Sequence, residues 1–105
     1  MIRTELRGEA RRAFTHPPQG EFSVVADNVV HAVIAVHDVS SSGIRLRVAR
    51  SLGVSTHVSV RYRHAALDLE LNGITCWESP VEGEDPAVRI VGIDLLNPTL
   101  LYSLL

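Results

Sequence analysis

Apolar and polar residues alternate along much of this chain, with the period of two that is typical of β-strands. In residues 44–49, for example, Ile44, Leu46 and Val48 alternate with Arg45 and Arg47. The same alternation, or a run of β-branched residues, recurs at regular intervals. It predicts strands at residues 22–25, 29–37, 44–49, 58–63, 67–71, 74–77 and 88–95. Short strands at this spacing are typical of a small antiparallel barrel or sandwich.

Polar segments separate the predicted strands. Asp27 and Asn28 predict a tight turn between the first two strands, because both residue types favour turn conformations. Residues 38–43 and 51–55 are polar breaks, and residues 80–86 form an acidic loop bounded by prolines. These segments therefore predict consecutive strands joined by short connections.

Two residue pairs in the last third of the chain carry further signals of local structure. Asn72 followed by Gly73 is a strong hairpin signal, although a glycine bulge inside one long strand fits the same residues. Asn97 followed by Pro98 predicts a helix N-cap and first helical position, and the helix would continue to Leu105. The only helix expected is thus a short one at the C-terminus.

Length and composition indicate one globular domain. The chain has 105 residues, 46% of them hydrophobic and 21% charged. A single cysteine, Cys76, excludes an internal disulfide. The N-terminus has no signal-peptide pattern, and no apolar run approaches the roughly 20 residues that span a bilayer. We expect a cytoplasmic protein that does not insert into membranes.

The charged residues are unevenly distributed. The net charge of −2 gives no support for DNA or RNA binding, which favours a basic domain. All ten basic residues are arginines, a bias that genome composition alone also produces. Arginine is nevertheless the side chain best suited to bidentate recognition of phosphates and guanine edges. Four of the ten arginines lie within the first twelve residues.

Two motifs stand out against this background. Asp38, Ser40 and Gly43 form the pattern Asp-x-Ser-x-x-Gly between two predicted strands. Upstream of the first strand, Arg7 and Arg11 form the pattern Arg-x-x-x-Arg. Each motif alone is common, but both occur in this order around the expected β-strands.

Together these motifs resemble the two-part signature of the PilZ family, and the likeness extends over nearly the whole chain, including Trp77 and residues 91–94 before the helix. The resemblance implies an all-β fold, a six-stranded antiparallel PilZ-like β-barrel with a short C-terminal helix. It divides the chain into a flexible arginine-bearing arm, residues 1–12, and the barrel domain, residues 13–105. It also favours one continuous strand through Asn72 and Gly73, and therefore a bulge there.

The resemblance further implies a bacterial receptor for the second messenger cyclic di-GMP, with no cofactor, no metal and no enzymatic turnover. The arginines would bind phosphates or guanine edges, and Asp38 would accept hydrogen bonds from guanine. Ser40 would offer a short hydroxyl, and Gly43 would allow a positive φ or the close approach of a ligand. The expected ligand-binding residues are Arg7, Arg11, Asp38, Ser40 and Gly43, with Arg3, Arg12 and Trp77 as further candidates.

Several alternatives remain at this level. The working arginine pair is Arg3 with Arg7 or Arg7 with Arg11, and the spacing of four puts a pair on one face if the arm turns helically. In an unrelated protein the Asp-x-Ser-x-x-Gly segment is a plain turn whose polar side chains cap their own backbone. His37, Asp38 and Ser40 lie too close along one extended segment to form a catalytic triad.

Two functions follow from the resemblance. The first is a ligand-controlled adaptor, which transmits cyclic di-GMP binding to a downstream protein partner. The alternative is a PilZ-like scaffold that does not bind ligand and acts through protein contacts, for example in type IV pilus assembly. The sequence leaves the partner, the ligand stoichiometry and the choice between monomer and dimer open.

Overall fold

The structure, a computed structural model, describes the backbone of residues 11–13 and all atoms of residues 19–96. Within these ranges the chain is all-β. The helix predicted for residues 97–105 lies outside the described residues. The strands, in chain order, are β1 (Arg11–Ala13), β2 (Glu21–Ala26), β3 (Val29–Ser40), β4 (Gly43–Val48), β5 (His57–His64), β6 (Leu67–Pro80) and β7 (Arg89–Leu95).

Strands β2 to β7 close into a barrel. Around the barrel the order is β2, β3, β4, β7, β6 and β5, and β5 pairs again with β2. Every pairing is antiparallel. Closure gives each of the six strands a neighbour on both sides, which removes the exposed edges of an open sheet. The six-stranded antiparallel β-barrel expected from the sequence is confirmed.

Strand β1 is an addition to the barrel that the sequence pattern did not predict. It pairs with the last three residues of β3, at Asp38, Val39 and Ser40. Strand β2 pairs with the beginning of β3, so β1 and β2 have different partners along the same long strand. With three residues and no apolar alternation, β1 depends on its neighbour and carries little local signal of its own.

Strand β3 extends further than the sequence predicted. The polar break expected at residues 38–43 is wrong for its first half, because β3 continues through Ser40. Asp38 pairs with Arg45 and Val39 pairs with Ile44, so the neighbouring strand supplies the backbone hydrogen bonds. Only Ser41 and Ser42 remain between β3 and β4. Pairing with β4 outweighs the low strand propensity of the segment.

The tight turn predicted at Asp27 and Asn28 is confirmed. Both residues have positive φ, at 51° and 64°, as a two-residue turn between twisted strands requires. At Asn72 and Gly73 the continuous strand favoured by the resemblance is confirmed and the alternative turn is wrong, since β6 runs through both residues without a break. The irregularity in β6 lies between Thr75 and Trp77 instead of at the glycine.

The continuity of β6 at Gly73 has a packing reason. Gly73 faces the interior, where a Cβ atom would lie 2.9 Å from Ile93 Cγ2 and 3.1 Å from Leu95 Cδ2. The glycine therefore makes room for β7, and its signal as a turn residue is overridden by its neighbours.

Inward-facing side chains from all six barrel strands fill the interior. Along β4 and β5 every second residue is buried, as the alternation predicted. Leu52 from the connection between β4 and β5 closes one end of this core. The core consists mainly of Val24, Val39, Ile44, Leu46, Val48, Val58, Val60, Tyr62, Leu71, Val91, Ile93 and Leu95. The arginines of β4 consequently lie on the outer face.

Candidate functional site

The Asp-x-Ser-x-x-Gly motif spans the tight hairpin between β3 and β4. Ser40, at the end of β3, is fully buried. Its hydroxyl oxygen accepts hydrogen bonds from the amides of Gly43 at 3.2 Å and Ser42 at 3.3 Å. These contacts satisfy two backbone donors of the loop, as a serine often does in a tight turn. Ser40 thus has a structural role in this hairpin.

Asp38 is held by an arginine that the motif does not contain. Arg45 Nε donates to Asp38 Oδ1 at 2.9 Å and to Oδ2 at 2.8 Å, and Arg45 Nη2 also contacts Oδ2. The Asp38 side chain is 5% exposed, whereas the Arg45 side chain is 40% exposed. The hydrogen bond to Asp38 raises the pKa of Arg45, which keeps the guanidinium charged. The carboxylate is thus buried beneath a fork of N–H donors.

Arg45 is the residue that the sequence interpretation missed, although a signal for it exists. Alternation places Arg45 on the wet face of β4, and a two-residue loop at Ser41 and Ser42 brings it opposite Asp38. The sequence alone predicts the face of β4 on which Arg45 lies, whereas its pairing with Asp38 also depends on the length of the loop. Because a polar break was expected over residues 38–43, the sequence did not indicate which residues of β3 and β4 pair.

Gly43 is required by the neighbouring strand β7. A Cβ atom at this position would overlap the carbonyl oxygen of Ile93 and lie 3.2 Å from its carbonyl carbon. Gly43 does not have the positive φ considered from the sequence, since it begins the extended strand β4. The close approach that excludes a side chain here is made by the β7 backbone.

Trp77 lies on the same outer face, at the far end of a row of paired residues. Asp38 pairs with Arg45, Arg45 with Gly92, and Gly92 with Trp77. The indole ring covers Gly92, where a Cβ atom would overlap it. Trp77 remains 39% exposed. The indole therefore lies over β7, the strand next to the one that carries Arg45.

Strand β1 brings the arginine-bearing arm to this hairpin. In the backbone register Arg11 lies opposite Ser40, Arg12 opposite Val39, and Ala13 opposite Asp38. The last two residues of the arm, Arg11 and Arg12, thus lie beside the end of β3 that leads into the motif loop. The helical turn considered for the arm is not formed at Arg11 and Arg12, which begin β1. The rest of the arm, with Arg3 and Arg7, lies outside the described residues.

His37 adds a titratable group beside the ion pair. It is the extra residue of a bulge in β3, between the pairs formed by Val36 and Asp38. Burial, then the positive charge of Arg47, lowers the pKa of His37, although Asp38 acts in the opposite direction. Its Nε2 atom is buried and has no hydrogen-bond partner among the described residues. His37 is therefore held in the neutral form more strongly than an exposed histidine.

Glu78 fixes the connection between β4 and β5. Its carboxylate accepts hydrogen bonds from the Ser51 hydroxyl at 2.6 Å and from the amides of Leu52 at 2.6 Å and Gly53 at 2.8 Å. This glutamate lies just before the acidic loop of residues 80–86. Its role is to order a loop, because all of its contacts are to neighbouring chain segments.

Other kinds of site find little support in the described part of the chain. Residues 19–96 contain no cluster of three His, Cys, Asp or Glu side chains arranged to hold a metal. A cavity of about 580 Å³ opens between β2 and β3, near Phe22, Val33 and Val36, away from the motif residues. In the ranges that the structure describes, no helix is long and apolar enough to cross a membrane.

No family model matches this chain, and no curated protein matches it significantly. The functional interpretation therefore rests on the residues themselves. The outer surface of the barrel carries an arginine and a buried carboxylate on β4 and β3, and an exposed indole over the neighbouring strand β7. These are groups that recognise phosphate, a hydrogen-bonding base edge and a base face, respectively.

Proposed function

We propose that this chain is a PilZ-like receptor domain that binds cyclic di-GMP and transmits binding to a protein partner. The observation that best supports the proposal is the pairing of β1 with β3, with Arg11 opposite Ser40. Arg11, the last residue of its motif, thus lies beside a motif residue that is more than twenty positions away in the sequence. A ligand at this rim of the barrel would contact both residues.

The chemistry of the ligand matches the groups at this rim. Cyclic di-GMP carries two phosphates and two guanines, so a receptor must offset negative charge and read guanine edges. Arg7 and Arg11 would supply N–H forks for the phosphates or for guanine O6 and N7, with Arg3 and Arg12 as neighbouring arginines. Asp38 would accept from the guanine N1–H and N2–H donors.

Trp77 would add a stacking surface for a guanine. Its side chain is 39% exposed and rests on Gly92, so the indole is held flat against the barrel. Stacking of a base on an aromatic side chain contributes about 1–3 kcal/mol. Trp77 would therefore increase affinity while the arginines and Asp38 determine which ligand binds.

Titration calorimetry with cyclic di-GMP tests this function. The wild-type chain is expected to bind, and Arg7→Ala, Arg11→Ala and Asp38→Asn are each expected to weaken binding by about 10- to 100-fold, since each removes charged hydrogen bonds. Arg61→Ala is the matched control, because it removes the same charge from β5 on the opposite side of the barrel. Cyclic di-AMP serves as the control ligand.

The absence of both a binding heat and a melting-temperature shift in the wild-type chain would refute the proposal. Equal weakening by Arg61→Ala would refute the assignment of the site, because it would indicate a general charge effect. Circular dichroism of each variant establishes that the barrel is intact before binding is compared.

One observation favours the alternative, a PilZ-like scaffold that binds no ligand. Asp38 already holds Arg45, and Ser40 already caps the hairpin, so the motif has a structural role without any ligand. If the chain has this function, titration calorimetry detects no binding of cyclic di-GMP although the protein is folded. A protein partner is then captured equally with and without cyclic di-GMP.

A further inference from the structure

The contact between Arg45 and Asp38 has the geometry of a recognition contact. Two nitrogen atoms of one planar group, Nε and Nη2, face the two oxygens of the carboxylate. The pair lies on the outer face of the barrel, where the arginine side chain is partly exposed and the aspartate side chain is buried. A molecule that is to bind both Asp38 oxygens with the same fork of donors must therefore replace the Arg45 guanidinium.

The chemical likeness between the two competing donors is close. The N1–C2–N2 edge of guanine is itself a guanidine unit, with two parallel N–H groups one carbon apart. Nε and Nη2 of arginine are joined through one carbon in the same way, and both donor pairs fit the two oxygens of a carboxylate. Arg45 and a guanine edge thus offer Asp38 the same two-donor geometry, although only the arginine adds a positive charge.

We propose that Arg45 is an internal competitor for the guanine-binding carboxylate, and that it determines the affinity of this site for guanine ligands. The proposal rests on the cyclic di-GMP function proposed above. In the free protein, Arg45 occupies the position of the guanine edge. Binding requires the guanidinium to swing into solvent, which its 40% exposure and its place on the outer face allow.

A competitor of this kind lowers the observed affinity by the fraction of molecules in which the carboxylate is accessible. If the paired form exceeds the open form by ten to one or more, removing the guanidinium tightens guanine binding by about tenfold or more. Removal of an arginine that contacts the ligand directly would instead weaken binding. The direction of the change therefore separates a competitor from a ligand contact.

The experiment compares cyclic di-GMP binding by the wild-type chain, Arg45→Met and Arg45→Lys in titration calorimetry. Arg45→Met keeps a long side chain and removes the fork, and we expect binding to be about tenfold tighter. Arg45→Lys keeps the charge without the planar fork, and we expect an intermediate affinity. It also keeps a cation beside Asp38 if Arg45→Met does not fold. Arg61→Met is the control for loss of one positive charge.

A second ligand tests whether the whole guanine edge is read. Cyclic di-inosine monophosphate lacks the N2 amino group and offers one donor instead of two. We expect Arg45→Met to bind it about tenfold more weakly than cyclic di-GMP, because one carboxylate oxygen then loses its partner. Equal binding of the two ligands would contradict the contact with Asp38.

The outcomes separate this inference from the function on which it rests. If the wild-type chain binds cyclic di-GMP and the Arg45 variants bind equally or more weakly, the competitor is refuted and the receptor function stands. If neither the wild-type chain nor any folded Arg45 variant binds, both are refuted. Binding that tightens in Arg45→Met, but not in Arg61→Met, supports the competitor.

Discussion

Replacing Gly43 with alanine tests why the motif ends in glycine. The added Cβ atom would overlap the carbonyl oxygen of Ile93 and lie 3.2 Å from its carbonyl carbon and 3.4 Å from Asp94 Cα. All three are backbone atoms of β7, so no side-chain rotation relieves the overlap. Strands β4 and β7 must move apart at this end of the barrel.

The magnitude follows from two contributions. Overpacking of a tightly packed site costs about 1–3 kcal/mol. The hydrogen bond from the Leu95 amide to the Ser42 carbonyl, 3.0 Å long, lies beside the overlap, and its loss costs about 1 kcal/mol more. The free energy of unfolding should therefore fall by about 2–4 kcal/mol. For a domain of this size, the melting temperature should fall by roughly 10–20 °C.

Thermal unfolding followed by circular dichroism measures the change, and Gly83→Ala provides the comparison. Gly83 has a positive φ of 83° but no atom within 4 Å of an added Cβ, so it tests backbone conformation without steric overlap. Its replacement should cost about 1–2 kcal/mol. The steric argument for Gly43 is wrong if Gly43→Ala melts within about 2 °C of the wild-type chain, or loses less stability than Gly83→Ala.

Three further predictions concern stability. Glu78→Gln should lower the free energy of unfolding by about 1–3 kcal/mol in urea titrations, because the amide cannot accept every loop donor, whereas the exposed Glu82→Gln should change it little. Ser40→Ala should cost about 1–2 kcal/mol in the same assay, since the buried Gly43 amide loses its acceptor, and an unchanged midpoint would contradict the capping role. Because the pKa of His37 is lowered from 6.5 on folding, the unfolded chain binds the proton first, and the melting temperature should fall as the pH decreases below about 6.5. His37→Gln should reduce that pH dependence, and an identical slope would argue against it.

The sequence alone predicted the class of fold because its signals are local. The alternation along β4 and β5 placed the correct side chains inside, and the turn at Asp27 and Asn28 was correctly assigned. These features depend on the period of a strand and on the conformations that Asp and Asn tolerate. The closure into six strands followed from the resemblance and is confirmed.

The errors arose where distant residues decide the local structure. Asn72 and Gly73 have the composition of a turn, and although the resemblance correctly favoured a continuous strand, the bulge expected there is absent, because Gly73 is needed so that β7 fits against β6. The polar residues 38–40 extend β3 because β4 pairs with them. In each case a neighbouring strand pairs with the segment and supplies its backbone hydrogen bonds. That strand is either distant in sequence or joined by a turn whose length the sequence did not reveal.

The site shows the same division between local and tertiary information. The sequence supplied the arginines, Asp38 and Trp77 as candidates, because their chemistry is a property of the side chains themselves. Only the tertiary structure put Arg45 on Asp38, Trp77 over Gly92 and β1 beside Ser40. Strand register depends on hydrogen bonding and packing between segments, and a shift of one residue would have turned Arg45 into the core.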